Sequence, residues 1–444
     1  MRRRLAALAF ALTCACAPSA NEPPAPASTP SPPAASTSAP SAPSASSASA
    51  APTASAPTPA PVDPETKGRE LAQRFIIIDG HIDVPHRLWT SRDRRGKLSE
   101  DIAERTEKGD FDYPRAKAGG LDAPFFSIYV PAKLEGRGAK KYADGLIDLV
   151  EGIAEKAPDK FRIARTTAEV RQNSQEGKIS LLLGMENGSP VEKKLENVQH
   201  FFERGIRYIT LAHSKDNHLS DSSYDDRHVN KGLSPFGKKV VAEMNRLGIL
   251  VDVSHISDDA FRDVMQTSDV PAIASHSSCR HFTPGWARNM SDEMIVELAR
   301  KGGVIQINFG SGFIDGSIQK EESGRWKARS AALRRAKLDA SDPRAKPVLE
   351  QFEKDHPPSF AKLEQVADHI DHVKRLVGVE HVGLGSDFDG LGDTLPEGLK
   401  DVSGYPALLA VLIRRGYSDA EIEKICSGNV LRVWEAVERR AAAK

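Results

Sequence analysis

Six side chains able to grip a metal ion or move a proton fall at or just past the ends of separate strand-like runs. His81 and Asp83 close Phe75-Ile76-Ile77-Ile78-Asp79-Gly80, and Glu186 ends 179–185. His255 follows 249–254, His276 follows 271–275 and Asp387 follows 381–386. Residues two apart on an extended segment point the same way, so His81 and Asp83 can hold one ion together. Glu186 has two oxygens and can bridge two cations; left unpaired at the end of such an apolar run it would be costly. His255 and His276 could hold a second ion, and two ions a few Å apart can share an activated hydroxide. His213, after Tyr208-Ile209-Thr210-Leu211-Ala212, reads as a further ligand or as a hydrogen-bond donor to developing negative charge. Asp387 could accept and return a proton. The chemistry these types allow is metal-assisted hydrolysis.

Each residue taken singly has a plainer reading. A lone His-x-Asp is a chance pair, and with thirteen histidines in the chain an individual one is weak evidence. His369 and His372 read as lying on the polar flank of their helix, and His86, His218 and His228 as loop histidines. Asp389-Gly390 reads as a turn. Other chemistries lack their context. Gly383-x-Gly385 meets Phe388 where a dinucleotide loop needs its third glycine. Ser277-Ser278 lacks a nucleophile elbow, and no motif supports catalysis by Cys279. Coincidence of position is what favours a site.

Eight runs read as strands, at about 75–80, 122–130, 179–186, 206–212, 248–254, 271–275, 303–309 and 381–387. They are continuously apolar, as parallel strands buried on both faces are. Helix signals fall between them. Ser234 caps a helix with Pro235 at its first position and Gly248 past its end, Ser257 caps 258–267, and Ser291 caps 292–301. Leu363, Val366, Ile370, Val373 and Val377 recur at helical spacing. Strand alternating with helix predicts a (β/α)8 TIM-like barrel of the metal-dependent hydrolase type, with chemistry at the carboxyl ends of its strands. From about 316 to 359 the chain is highly charged, which predicts a solvated helical insertion before the last strand.

The chain has three parts. Residues 1–16 read as an export signal, with Arg2-Arg3-Arg4 followed by an apolar stretch too short to span a bilayer. Residues 17–63, mostly Pro, Ala, Ser and Thr, read as a disordered spacer. Residues 64–444 read as the barrel domain. A cysteine between apolar stretch and spacer suggests a lipid anchor at Cys16 or Cys14, although the leucine usual three positions upstream is missing. Plain secretion to the periplasm or beyond is the other reading. Lys plus Arg equals Asp plus Glu, 61 each, so no net field argues for nucleic acid or an anionic membrane surface. Any membrane contact is expected through the anchor alone. Cys279 and Cys426 are the only cysteines of the folded part, and no disulfide framework is implied.

The chain resembles the membrane (renal) dipeptidase family of zinc peptidases over about 70–440, as a bacterial envelope member. The resembling segments include Asp79-Gly80-His81-Ile82-Asp83, Gly184-Met185-Glu186-Asn187-Gly188 and Thr210-Leu211-Ala212-His213-Ser214. They continue with Asp252-Val253-Ser254-His255, Ser275-His276-Ser277-Ser278, Arg288-Asn289 and Gly385-Ser386-Asp387-Phe388-Asp389-Gly390. The resemblance implies a dipeptidase using a hydroxide bridging two zinc ions, with Mn or Co as other metals such a site accepts. It implies His81 and Asp83 on one ion, His255 and His276 on the other, and Glu186 between. It also implies that His213 contacts the scissile carbonyl, Arg288 holds the substrate's C-terminal carboxylate and Asp387 handles the proton. A grip on the carboxylate tolerates a D-residue at that position. A homodimer is left open.

One segment departs from the pattern. Where vertebrate members have Asn-Phe-Tyr-x-x-Tyr, this chain has Asn308-Phe309-Gly310-Ser311-Gly312-Phe313. The resemblance therefore implies that Phe313 lies near the substrate's carboxylate end without a hydroxyl, which bears on substrate choice and not on the metals. Two rival readings remain. One keeps barrel and metals but acts on N-acyl amino acids or other small amides. The other is a non-catalytic peptide-binding lipoprotein of the envelope, which a missing ligand would favour; none is missing.

Overall fold

The computed structural model describes residues 63–339 and 342–443. The expected leader at 1–16, with Cys14 and Cys16, and the spacer up to 62 lie outside the described residues. Asp63 opens the described chain, and its carboxylate accepts from the Thr66 N–H to cap the helix Pro64–Arg74.

Nine strands follow, β1 (Ile77–Ile82), β2 (Leu121–Tyr129), β3 (Phe161–Ile163), β4 (Ile179–Glu186), β5 (Ile206–Thr210), β6 (Leu250–Asp252), β7 (Ile273–Ala274), β8 (Val304–Ile307) and β9 (Val382–Leu384). All neighbours are parallel. The order β2-β1-β9-β8-β7-β6-β5-β4-β3 closes on itself because β2 also pairs with β4, from Phe125↔Leu182 to Tyr129↔Glu186. Eight strands thus form a (β/α)8 barrel, and β3 hangs outside on β4. The eight predicted strands are the barrel strands. β3 is an addition.

Two apolar layers hold the barrel. Ile78, Phe125, Leu182, Tyr208, Leu250, Ile273 and Val304, each from a different strand, cluster with Trp434 of the C-terminal helix Asn429–Ala442. The second and larger layer lies between strands and helices, with Ile77, Leu121, Leu181, Val240, Val264 and Val366 among its members. Burying each such side chain is worth about 1.5–3 kcal/mol, which is how a chain of this length holds strands as short as β7.

Helix Pro235–Leu247 has Ser234 accepting from Gly237 N–H and left-handed Gly248 after it. Ser257 and Ser291 cap Asp258–Thr267 and Asp292–Arg300. The predicted insertion holds two main helices, Gly316–Ala336 and Lys346–Asp355. In the first, only Ile318 and Leu333 are buried. Among the described residues no helix is long and apolar enough to cross a membrane.

Two readings need correction. His369 is fully buried, not on a polar flank. Its Nδ1 accepts from the Cys279 N–H at 3.0 Å and its Nε2 meets the Ile314 carbonyl at 3.1 Å, which fixes the proton on Nε2. His86 belongs to the helix Val84–Thr90 instead of a loop. Cys279 and Cys426 are both buried and free.

Candidate metal centre

The expected residues converge at the carboxyl ends of the barrel strands. His81 is the fifth residue of β1, Asp83 follows that strand, and Glu186 ends β4. His213, His255, His276 and Asp387 stand two or three residues past β5, β6, β7 and β9. The loops there are bent sharply. His255 and Asp387 hold left-handed backbones, φ +68° and +63°, as do their neighbours in the site Asn187 and Asp389. Such backbones are uncommon for residues bearing a Cβ and concentrate at functional sites.

Glu186 is the hub. Its Oε2 lies 3.4 Å from His81 Nε2, which is itself 3.3 Å from Asp83 Oδ2. Its Oε1 lies 2.9 Å from His255 Nε2, 3.4 Å from His276 Nε2 and 3.5 Å from His213 Nε2. His255 and His276 bring their Nε2 atoms within 2.7 Å of each other. The ligand atoms form overlapping groups of three within 4.8 Å: His81, Glu186 and His276; Glu186, His213 and His255; His81, Asp83 and Asp387. Gly390 is required beside them, because a Cβ there would stand 2.3 Å from Asp83 Oδ2 and 2.4 Å from Asp387 Oδ1.

The electrostatics fit bound cations. Burial would raise the Glu186 carboxyl, but His81, His213, His255 and His276 outweigh it and hold the group well below its usual range. Burial and then Arg288 depress His255, and burial and then His81 depress His276, so both stay neutral, the form in which imidazole ligates. Burial opposes charge on His81 too, yet Tyr208, Glu186 and Asp83 raise it well above its usual value. The carboxylates that draw a proton there are the ones that would face an ion. His81 Nε2 is buried with no hydrogen-bond partner among the described residues, as an atom reserved for a metal would be.

Groups behind these side chains aim them. Tyr208 OH meets His81 Nδ1 at 2.7 Å, leaving Nε2 for the cluster. Its ring passes so close to Gly184 that a Cβ there would lie 2.0 Å away. Ser275 Oγ meets His276 Nδ1 at 2.7 Å and also donates to Asp252 Oδ2 at 2.7 Å. Asn308 Nδ2 donates to Asp387 Oδ2 at 2.9 Å. Burial, then Asp83 and Glu186, push the Asp387 carboxyl well up, against an opposing pull from His81.

Two expected substrate residues lie together at one end. The Arg288 guanidinium is 5.2 Å over the Phe313 ring and only 2% of the residue is exposed. It donates to Ser277 Oγ and the His276 carbonyl, both at 2.7 Å. No acidic side chain among the described residues pairs with it, and its Nε has no partner. A cavity of about 330 Å3 opens over the cluster, walled by Asp83, Glu186, His213, His255, Phe313 and Asp387. Arg288 is not itself part of the cavity wall, to which Phe313, under its guanidinium, and Tyr224 belong. His86, Tyr129 and Tyr224 also line the cavity and had carried no signal as site residues in the sequence, since they belong to no motif and only the fold brings them in. Tyr129 packs edge-on against both His86 and His213, with ring centroids 4.9 Å apart in each case.

Comparison with known proteins identifies the family. The family model for membrane dipeptidases, peptidase family M19, matches residues 65–444. Mouse (Mus musculus) dipeptidase 3 is 31% identical over 383 residues, covering 85% of this chain and 68% of that protein. The crystal structure of the probable dipeptidase PvdM from Pseudomonas aeruginosa superposes with a TM-score of 0.72 at 27% identity, covering 85% of this chain and 99% of that one. A metallopeptidase from Rhodobacter sphaeroides, liganded with a phosphinate mimic of the dipeptide L-Ala-D-Ala, gives 0.66 at 26% identity over 82% of this chain and 99% of that one. With three-ligand groups of histidine and carboxylate gathered at its strand ends, this chain belongs to the membrane dipeptidase family and is a dipeptidase-like metallopeptidase.

Proposed function

We propose that this protein hydrolyses dipeptides using two divalent cations, one on His81 and Asp83, one on His255 and His276, with Glu186 between them. The carrying observation is Glu186, which turns one oxygen to His81 and the other to His255 and His276 while 3% exposed. Burying a carboxylate among imidazoles is unfavourable without cations to repay it. Zinc suits these donors, and Mn or Co fits them as well. Two bound ions would supply activated water at neutral pH and polarisation of the scissile carbonyl. Asp387, oriented by Asn308, takes the proton of the attacking water and returns it to the leaving amine. His213 hydrogen-bonds to the carbonyl oxygen as negative charge develops there.

Arg288 holds the substrate's C-terminal carboxylate. A buried guanidinium without an acidic partner is completed by such a ligand. An anchor on the carboxylate leaves the configuration of its residue loosely constrained, so a D-residue is accepted there. Residues 64–444 are the catalytic unit, and 1–63 export and tether it.

The test is hydrolysis of L,L and L,D dipeptides, their amides and N-acyl amino acids by purified 64–444, with metal content measured on the same sample. Two ions per chain and cleavage of free-acid dipeptides at least about tenfold faster than their amides are expected. Equal turnover of acids and amides would overturn the Arg288 role, and preferred cleavage of N-acyl amino acids would establish the amidohydrolase instead.

A further inference from the structure

A second cavity, of about 1030 Å3, opens beside the first. Tyr224, Phe313 and Leu391 are walls of both, so the outer space adjoins the inner one across these side chains. Its far side is built by the insertion, which contributes Trp326 from Gly316–Ala336 and Phe352 from Lys346–Asp355. Among the described residues only four large hydrophobic side chains are exposed, and two of them, Tyr224 and Trp326, face this space. Trp326 is 68% exposed on an otherwise charged helix. An indole left in water at the mouth of a cavity is stabilised when an apolar group covers it.

The outer cavity lies at the Arg288 end of the site. Phe313 carries Arg288 on its face and packs against Trp286 with ring centroids 5.0 Å apart; Trp286 also lines the outer space. His86 and Tyr129 wall the inner cavity but not the outer one. With a carboxylate at Arg288, the group that reaches outward is the side chain of the residue bearing that carboxylate. Charges on the wall offset one another, Glu322, Glu353 and Asp393 against Arg325, Lys327 and Arg329, and Glu353 pairs with Arg325 and stands 3.6 Å from Arg329. Aromatic surface, not net charge, is what the space offers.

We propose that this insertion-walled cavity receives the side chain of the C-terminal residue and selects large aromatic or branched apolar ones, an inference that rests on the dipeptidase reading with Arg288 as anchor. Glycine or alanine at that position leaves Trp326 uncovered. Phenylalanine, tryptophan or leucine covers it.

Steady-state kinetics on Ala-Gly, Ala-Ala, Ala-Leu, Ala-Phe, Ala-Trp and Ala-Lys test this with wild type, Trp326→Ala and Trp326→Phe. Wild-type kcat/KM is expected to rise about tenfold or more from Ala-Gly to Ala-Phe. Trp326→Ala, a change at an exposed position that leaves the core intact, should lose about fivefold more on Ala-Phe than on Ala-Gly, through KM, and Trp326→Phe should restore most of it. A flat wild-type profile, equal losses on both substrates, or a preference for Ala-Lys over Ala-Phe overturns the proposal. Failure to cleave any dipeptide is a different result and overturns the reading beneath it.

Discussion

Acidification should loosen this protein through His369, a histidine outside the ligand set. The ring is fully buried and stitches two site-bearing segments together, accepting from Cys279, three residues past His276, and meeting the carbonyl of Ile314, next to Phe313. Burial, with lesser contributions from nearby His372 and His281, pushes it down to about 3 from an ordinary value of 6.5, although the bond to Ile314 opposes the shift. Above pH 6.5 the ring is neutral in folded and unfolded chains alike and contributes no pH dependence. Below 6.5 the unfolded chain takes up a proton that the folded one refuses, so stability falls as pH drops toward 3. At about 1.4 kcal/mol per pH unit, roughly 2 kcal/mol is lost at pH 5 relative to pH 8. His369→Gln can offer an acceptor and a donor but does not titrate, so it should cost about 1–3 kcal/mol at pH 8 and show about 2 kcal/mol less loss on going to pH 5. Urea unfolding of both proteins at the two pH values reads this directly, since pH effects from the other titrating groups are common to both and cancel in the difference. Identical pH dependence in wild type and variant would refute the reasoning.

Three further outcomes are expected. Glu186→Gln should bind fewer than two metal ions per chain, by elemental analysis, and lose more than about a hundredfold in activity, because one anionic bridge no longer offsets two cations. Asp387→Asn should keep its metals while kcat falls about a hundred- to ten-thousand-fold, since an amide cannot take the proton from the attacking water; loss of metal would make it a ligand instead. A chain starting at Asp63, which keeps the cap of the first helix, should match the full-length protein in melting temperature and kcat/KM, and a large drop in either would give residues 1–62 a part in the folded domain.

The strands and the residues that gather at their ends were legible in the sequence for one reason. A strand buried on both faces is continuously apolar, and a charged or imidazole side chain ending such a run stands out, as Glu186 does after Leu181-Leu182-Leu183-Gly184-Met185. Strand lengths were not legible. The run at 248–254 pairs only over Leu250–Asp252, because Asp252 Oδ1 takes the N–H groups of Ser254 and Ser275 and the chain then turns at His255. β3 is three residues with only Phe161 buried, too short to show a period. His369 was misplaced by its chemistry, although its position, three after Val366 and four before Val373, lies on the buried face. Tyr208 depends on the bare backbone of Gly184 in another strand to reach His81, a relation no local pattern can carry.

The left-handed backbones at His255 and Asp387 set two kinds of selection against each other. A side chain with a Cβ carries about 1–2 kcal/mol of strain in that conformation, while glycine carries almost none and asparagine and aspartate less than most. A lineage kept for endurance alone would drift toward glycine at these two positions, or toward asparagine at His255, and grow sturdier as it did so. Retired copies of such an enzyme should therefore show their retirement first at His255 and Asp387, ahead of His81, which lies within a regular strand where no such relief is on offer.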